Sequence, residues 1–156
     1  MRGKQSKKRK IKEEGVYKSL VASKFINKLM KSGKKMLAEK IFYKSMDILK
    51  KDLKGNPLVI LEKSLENIRP KLEVRARRVG GVNYQIPLPI PENRQIAVAI
   101  KWIIKGAKER RKDKEFYVAL AEELKDAYKK MGFAYRKKEE THKMAEANKA
   151  FAHFQW

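Results

Sequence analysis

RPKLEVRARRVGGVNYQIP, residues 69–87, is where the chain changes period. Arg69-Pro70 closes the helical pattern that precedes it, because a proline disfavours a helical conformation in the residue before it. Leu72, Val74 and Ala76 then alternate with Glu73, Arg75 and Arg77. Beyond Gly80-Gly81, Tyr84, Ile86, Leu88 and Ile90 alternate with polar residues and prolines. Alternation on both sides of a glycine pair predicts a β-hairpin at about 72–90. A two-residue loop at Gly80-Gly81 would oppose Arg77 to Tyr84 and Glu73 to Leu88, putting the two apolar sets on opposite faces. A three-residue loop, Gly80 to Val82, would oppose Ala76 to Ile86 and Val74 to Leu88. Both sets would then share a face, as a half-buried ribbon requires. The expectation is the three-residue loop, with a glycine in the left-handed region and Arg75, Arg77 and Gln85 on the other face.

Outward from the hairpin the period is helical. Upstream, Ser19 is placed to cap a helix from about Leu20 to Met30, with Val21, Phe25 and Leu29 turned to the core. Gly33 offers a stop, and a second helix follows Lys34-Lys35 to about Lys51, burying Ala38, Ile41, Phe42, Ser45 and Leu49. Asn56-Pro57 opens a third, since proline suits the first helical position, with Leu58, Leu61, Leu65 and Ile68 at helical spacing. Downstream, a helix from about Asn93 to Lys108 buries Ile96, Ile100, Ile103, Ile104 and Ala107. The next, from near Glu115, carries the most regular stripe, Tyr117, Leu120, Ala121, Leu124, Ala127, Tyr128 and Met131, and stops at Gly132. The last runs from about Lys138 to His153, with Met144, Ala147, Phe151 and Phe154 along one side. No internal repeat or Pro/Ser-rich linker interrupts the pattern. The fold expected is mainly α: one domain over residues 16–156, of about six helices and one protruding hairpin, preceded by a flexible basic arm over residues 1–15.

Charge narrows the function. The 156 residues include 40 Lys and Arg against 18 Asp and Glu, a net of +22. Like charge at that density opposes compaction. A polyanion relieves it, and neutralising phosphates releases counterions and gives strong, salt-sensitive binding. Nucleic acid is the first partner to consider and a membrane surface the second. The absence of cysteine excludes disulfides, zinc fingers and thiol catalysis, and fits a reducing cytoplasm. No apolar run approaches the roughly 18 residues of a membrane span, and the basic start, Met1 to Lys12, leads into no hydrophobic stretch, unlike a secretory signal.

Catalysis finds no support. His142 and His153 stand alone, no metal-binding pair or phosphate-cradling loop occurs, and Gly80-Gly81 reads as a tight turn, so no enzyme, cofactor or metal is expected. Phe25, Phe42, Tyr117, Tyr128 and Phe151 fall in helical stripes and read as core. Tyr84, Trp102 and Trp156 could each pack internally or meet a partner. The signal lies in basic clusters that recur in separate elements: Arg2, Lys4, Lys7, Lys8, Arg9 and Lys10 in the arm; Lys24, Lys28 and Lys31; Lys34 and Lys35; Arg75, Arg77 and Arg78; Arg94; Lys105, Lys108, Arg110 and Arg111; and Arg136, Lys137 and Lys138. These are the candidate RNA-binding residues. No helix-turn-helix, homeodomain or basic-zipper pattern is present. Scattered clusters around a hairpin suit a folded RNA read by shape; the competing reading is a DNA-architectural protein, and the third is a cationic membrane-surface protein. These helices need their apolar faces for the core, which disfavours the membrane.

KFINKLMKSGKK at Lys24 to Lys35, the hairpin segment, and THKMAEANKAFAHFQW at Thr141 to Trp156 together resemble small-subunit ribosomal protein seven of bacterial type, as do Arg94 with AVAIKWII and FYVALAEELKDA at Phe116 to Ala127. The resemblance covers nearly the whole chain beyond the first dozen residues. Gln155 departs from a frequent Arg and Ala76 from a common Ser. The resemblance implies a helical domain with a protruding hairpin. It implies a structural protein that binds the three-prime major domain of small-subunit ribosomal RNA and nucleates head assembly. It further implies a hairpin, with Arg77, Arg78, Gly80, Gly81 and Tyr84, that reaches toward the exit-site transfer RNA. The C-terminal helix would lie near a neighbouring ribosomal protein. Neither a membrane nor DNA is expected as a partner.

Overall fold

The computed structural model describes Gly3 and residues 11–154. Arg2, Lys4, Lys7, Lys8, Arg9 and Lys10 of the arm, and Trp156, lie outside the described residues. The order is α1 (Leu20–Leu29), α2 (Lys35–Leu53), α3 (Pro57–Ile68), β1 (Leu72–Val79), β2 (Val82–Pro89), α4 (Glu92–Arg110), α5 (Phe116–Tyr128), α6 (Gly132–Ala147) and a terminal 3-10 helix (Lys149–Phe154). The starts of α1 and α3 follow from side-chain caps: Ser19 Oγ accepts from the Val21 and Ala22 N–H groups, and Asn56 Oδ1 from that of Leu58.

Helix α5 is the pillar of the body. Its Leu120 and Leu124 are fully buried, and its Ala119, Ala121 and Ala127 are small enough to let α2, α3, α4 and α6 pack closely around it. Phe25 of α1 and Phe42 of α2 meet at 5.4 Å between ring centroids, tilted by 43°, and close the core on that side. Polar groups pin the pillar as well. Ser64 Oγ donates to the Leu124 carbonyl at 3.1 Å, and Asn67 Nδ2 to the carbonyls of Ala127 and Tyr128 at 3.1 and 3.0 Å. These last carbonyls of α5 have no partner within their own helix, so α3 caps α5 from the side.

Two expectations are corrected. The hairpin register opposes Arg77 to Tyr84, Arg75 to Ile86 and Glu73 to Leu88 across a two-residue Gly80-Gly81 loop. Both glycines have positive φ, +58° and +88°, as the turn type whose twist matches a hairpin demands. Turn chemistry prevails over a shared apolar face because the ribbon is buried only toward its base, where Ile86, Pro87 and Ile90 sit, and there both faces are covered. Arg75 and Arg77 therefore share a face with Tyr84 and Ile86, and Gln85 lies on the other.

The last helix starts at Gly132, well before Lys138, and ends at Ala147. Its early start is tertiary in origin: the carboxylate of Glu123, buried in α5, accepts from the Ala134 N–H at 2.9 Å and supplies the cap. Its expected stripe does not hold, since Met144 is 52% exposed and Ala147 is exposed, as is Met131 at 52% beyond the end of α5. Lys12 and Glu14, ahead of α1, make contacts with the helices. Ser23 Oγ donates to the Lys12 carbonyl at 2.7 Å, and the buried Glu14 carboxylate accepts from Tyr43 Oη at 2.6 Å and from the Val16 and Tyr17 N–H groups. Burial and this carboxylate push the Tyr43 phenol well above its ordinary range.

The Lys71 N–H donates to His142 Nε2 at 3.1 Å, joining the hairpin base to α6. Burial, and then nearby Lys138, push the imidazole below its usual 6.5. A base with a depressed folded pKa contributes stability that is present above its unfolded value and is lost as pH falls through it. The stability advantage of the wild type over His142→Ala is thus expected to be complete above pH 6.5 and to shrink below it in urea unfolding. A second expectation concerns Gly106. A Cβ there would lie 2.8 Å from the Glu123 carboxyl carbon and 3.0 Å from Phe133 Cβ. Overpacking of this kind costs about 1–3 kcal/mol, more than the ~0.5–1 kcal/mol that alanine gains in a helix. Urea unfolding should show Gly106→Ala less stable than wild type and Gly15→Ala, whose Cβ meets open space, close to it.

Candidate nucleic-acid interface

The end of α1, the first half of α2, the end of α4 and the start of α5 enclose a groove of about 670 Å³. Its floor is apolar: Leu29, Leu37, Ile41, Phe116 and Tyr117. Its rim is cationic: Lys31, Lys34, Lys40, Lys44, Lys108 and Arg111, with Glu115 the one carboxylate in the lining. None of these six cations has an ion pair within 4 Å among the described residues. The Lys44 ammonium lies 4.9 Å from the centre of the Tyr117 ring. The geometry follows from the sequence: residues four apart share a helix face, so Leu37 and Ile41 run beside Lys40 and Lys44, and the turn after α1 brings Lys31 and Lys34 to the same mouth. Such a surface can hold phosphates at its edge and apolar or aromatic groups in its centre.

The hairpin is the second cationic element. Arg78 is exposed near its tip, and Arg75 and Arg77 share the face of Tyr84. Tyr84 packs on Phe151 of the terminal 3-10 helix, with ring centroids 5.2 Å apart, so the ribbon is propped by the tail. At its base Glu73 holds two arginines: Arg75 Nε donates to Oε1 at 2.7 Å and Arg94 Nε to Oε2 at 3.0 Å.

The remaining predicted cations divide. Lys24, Lys28 and Arg136 have no ion pair among the described residues. Lys35 faces Glu39 and Lys105 faces Glu109, both at 3.7 Å, one helical turn away. Lys137 pairs with Glu140 at 2.8 Å, which holds the Glu140 carboxyl below its usual range. Lys138 donates to the Asn67 carbonyl at 2.9 Å. The exposed pairs of Lys35, Lys105 and Lys137 contribute little and leave their cations available, whereas the Lys138 side chain is only 20% exposed. Arg110 differs. Its guanidinium meets Glu123 at 3.0 Å and Asp126 at 2.7 Å. Burial pushes the Glu123 carboxyl up, opposed by the Ala134 N–H and by Arg110. Arg110 is occupied inside the protein, because leaving a buried carboxylate unpaired is costly.

The family described as ribosomal protein S7p/S5e matches residues 1–149. The chain belongs to that family. It is similar to the small ribosomal subunit protein uS7 of Treponema denticola, at 48% identity over 155 residues and 99% of each chain. It also resembles the uS7 proteins of Dictyoglomus turgidum, 48% over 148 residues covering 95% and 94%, and Thermotoga neapolitana, 45% over 156 residues and the whole of both. Membership in the S7p/S5e family makes this a ribosomal protein and not an enzyme. Among the described residues no helix is long and apolar enough to cross a membrane.

Within this S7p/S5e chain, sequence reasoning missed Lys40 and Lys44 as site residues and took Tyr117 for core, although it is only partly buried and lines the groove. The signal was present as two adjacent i, i+4 pairs, one apolar and one basic, on α2. Replacing Lys31, Lys34, Lys108 and Arg111 together by alanine is expected to weaken binding of a structured RNA. The slope of log affinity against log salt should fall by about 0.7–0.9 for each phosphate no longer neutralised, read by filter binding across a salt series. An unchanged slope would place the RNA elsewhere on the surface.

Proposed function

We propose that this ribosomal protein is a primary RNA-binding component of the small subunit. It binds the three-prime major domain of the ribosomal RNA and nucleates assembly of the head, with its hairpin directed toward the exit-site transfer RNA. The observation that carries the reading is the groove's rim of six cations without acidic partners among the described residues, held on a rigid helical body. A net of +22 is otherwise a cost to folding. The rim and the hairpin are separate cationic elements of one body, so RNA segments that reach both are drawn together and binding is coupled to RNA folding. The arm's Arg2, Lys4, Lys7, Lys8, Arg9 and Lys10 add six more cations to the chain. Exposed Met144 and Ala147 on α6 form the contact with a neighbouring ribosomal protein.

Chemical footprinting of small-subunit RNA with and without the protein tests the reading. Protection confined to the three-prime major domain is the expected result. Equal affinity for random duplex DNA would instead favour an architectural DNA-binding role. Arg75→Ala with Arg77→Ala is expected to weaken transfer-RNA or ribosomal-RNA contact while stability stays within about 0.5 kcal/mol of wild type, measured by binding and thermal unfolding in parallel. A large stability loss would mark these arginines as structural.

A further inference from the structure

The groove has a shape and chemistry that phosphate binding alone does not need. Phosphate contacts require cations on an accessible surface, and a flat or convex patch suffices. Here the cations ring a concavity whose centre is apolar and partly aromatic. Leu37 is 54% exposed and Phe116 and Tyr117 are partly buried, so all three present carbon to solvent. The Lys44 ammonium covers one face of the Tyr117 ring, 4.9 Å from its centre, on a flexible side chain that an anion can draw aside. The enclosed volume, about 670 Å³, lies within the roughly 300–1,000 Å³ of sites that hold small organic groups.

We propose that this groove is a subsite for a single unpaired nucleotide: the base lies on the floor made by Phe116, Tyr117 and Leu37, while the phosphates on either side are held by Lys31 and Lys34 at one edge and Lys108 and Arg111 at the other. The inference deepens the RNA-binding reading and rests on it. Charge complementarity selects the occupant. An acidic peptide would satisfy the rim but does not carry, in every repeat, a flat group with an anion on each side of it, and a second copy of this chain would bring net positive charge to a rim of six cations. A base fits both, because every base has a π-face that stacks on an aromatic side chain regardless of sequence. When a phosphate draws Lys44 away, the Tyr117 ring it covers becomes the stacking surface. A perfect duplex keeps its bases stacked inside, so only a bulge, loop or single strand can fill the site. The groove thus discriminates by RNA structure rather than by base identity.

The test uses the full chain with a transcript of the three-prime major domain carrying 4-thiouridine, irradiated and mapped by mass spectrometry. Cross-linked peptides containing Phe116-Tyr117 or Leu37 are expected. A transcript that binds and cross-links only to other peptides overturns the subsite and leaves the RNA-binding reading standing. A transcript that does not bind at all overturns both. In parallel, Phe116→Leu with Tyr117→Leu keeps an apolar floor but removes the rings. Affinity should fall about tenfold, the loss of one base–aromatic stack, with the salt slope unchanged because no charge is removed. Unchanged affinity, or a loss equal for a fully paired duplex, counts against the proposal. Leu37→Glu, at an exposed position, provides the same reading should the double variant fold poorly: a carboxylate on the floor is expected to reduce affinity at least tenfold, and full affinity would overturn the proposal.

Discussion

The burial of α5 among its neighbours is the constraint on which everything else depends. Leu120 and Leu124 occupy the centre of the core, and the alanines beside them allow helices to approach from several sides. Because α5 also ends under the Asn67 amide and offers Glu123 to the start of α6, it sets the position of α3 by packing and of α6 by a buried carboxylate. The groove is a by-product of the same arrangement. Its floor combines the first turn of α5 with apolar residues from the end of α1 and the first half of α2.

The acidic residues are distributed in a way that makes sense of the charge. Buried Glu123 and Glu14 serve the interior, one as a helix cap and ion partner of Arg110, the other as acceptor for Val16, Tyr17 and Tyr43 ahead of and on the helices. Glu73 organises the two arginines at the hairpin base. Asp52 pairs with Lys125 and Glu122 with Lys114, both on α5 or the loop before it. At the groove the lining holds only Glu115 against six cations. Attraction inside the body offsets part of the self-repulsion, and the groove keeps six cations without an ion pair among the described residues.

Much of this was legible in the sequence. Side-chain caps and regular apolar spacing placed α1 to α5 to within a few residues, because those signals are local. Family resemblance rested on ordered motifs over the same stretches. What local signals could not convey was tertiary. The start of α6 depends on a carboxylate contributed by another helix. Arg110 looks like its neighbours Lys108 and Arg111 until Glu123 and Asp126 arrive from α5. The hairpin register follows a three-residue loop only if the ribbon lies half-buried along its length, whereas this one leaves the body and obeys its turn. Lys40 and Lys44 came to line the candidate groove only once α4 and α5 supplied the opposite wall.

The contact between Tyr84 and Phe151 ties together two parts of the chain that are made at different times. During synthesis the ribbon emerges well ahead of the tail that braces it. Its strands can pair as soon as Pro89 is out, since the glycine turn is local. Its bearing relative to the helices also rests on groups that come later in the chain, His142 against Lys71 at the base and Phe151 against Tyr84. The ribbon is therefore fully braced only after the last residues of the chain have been made.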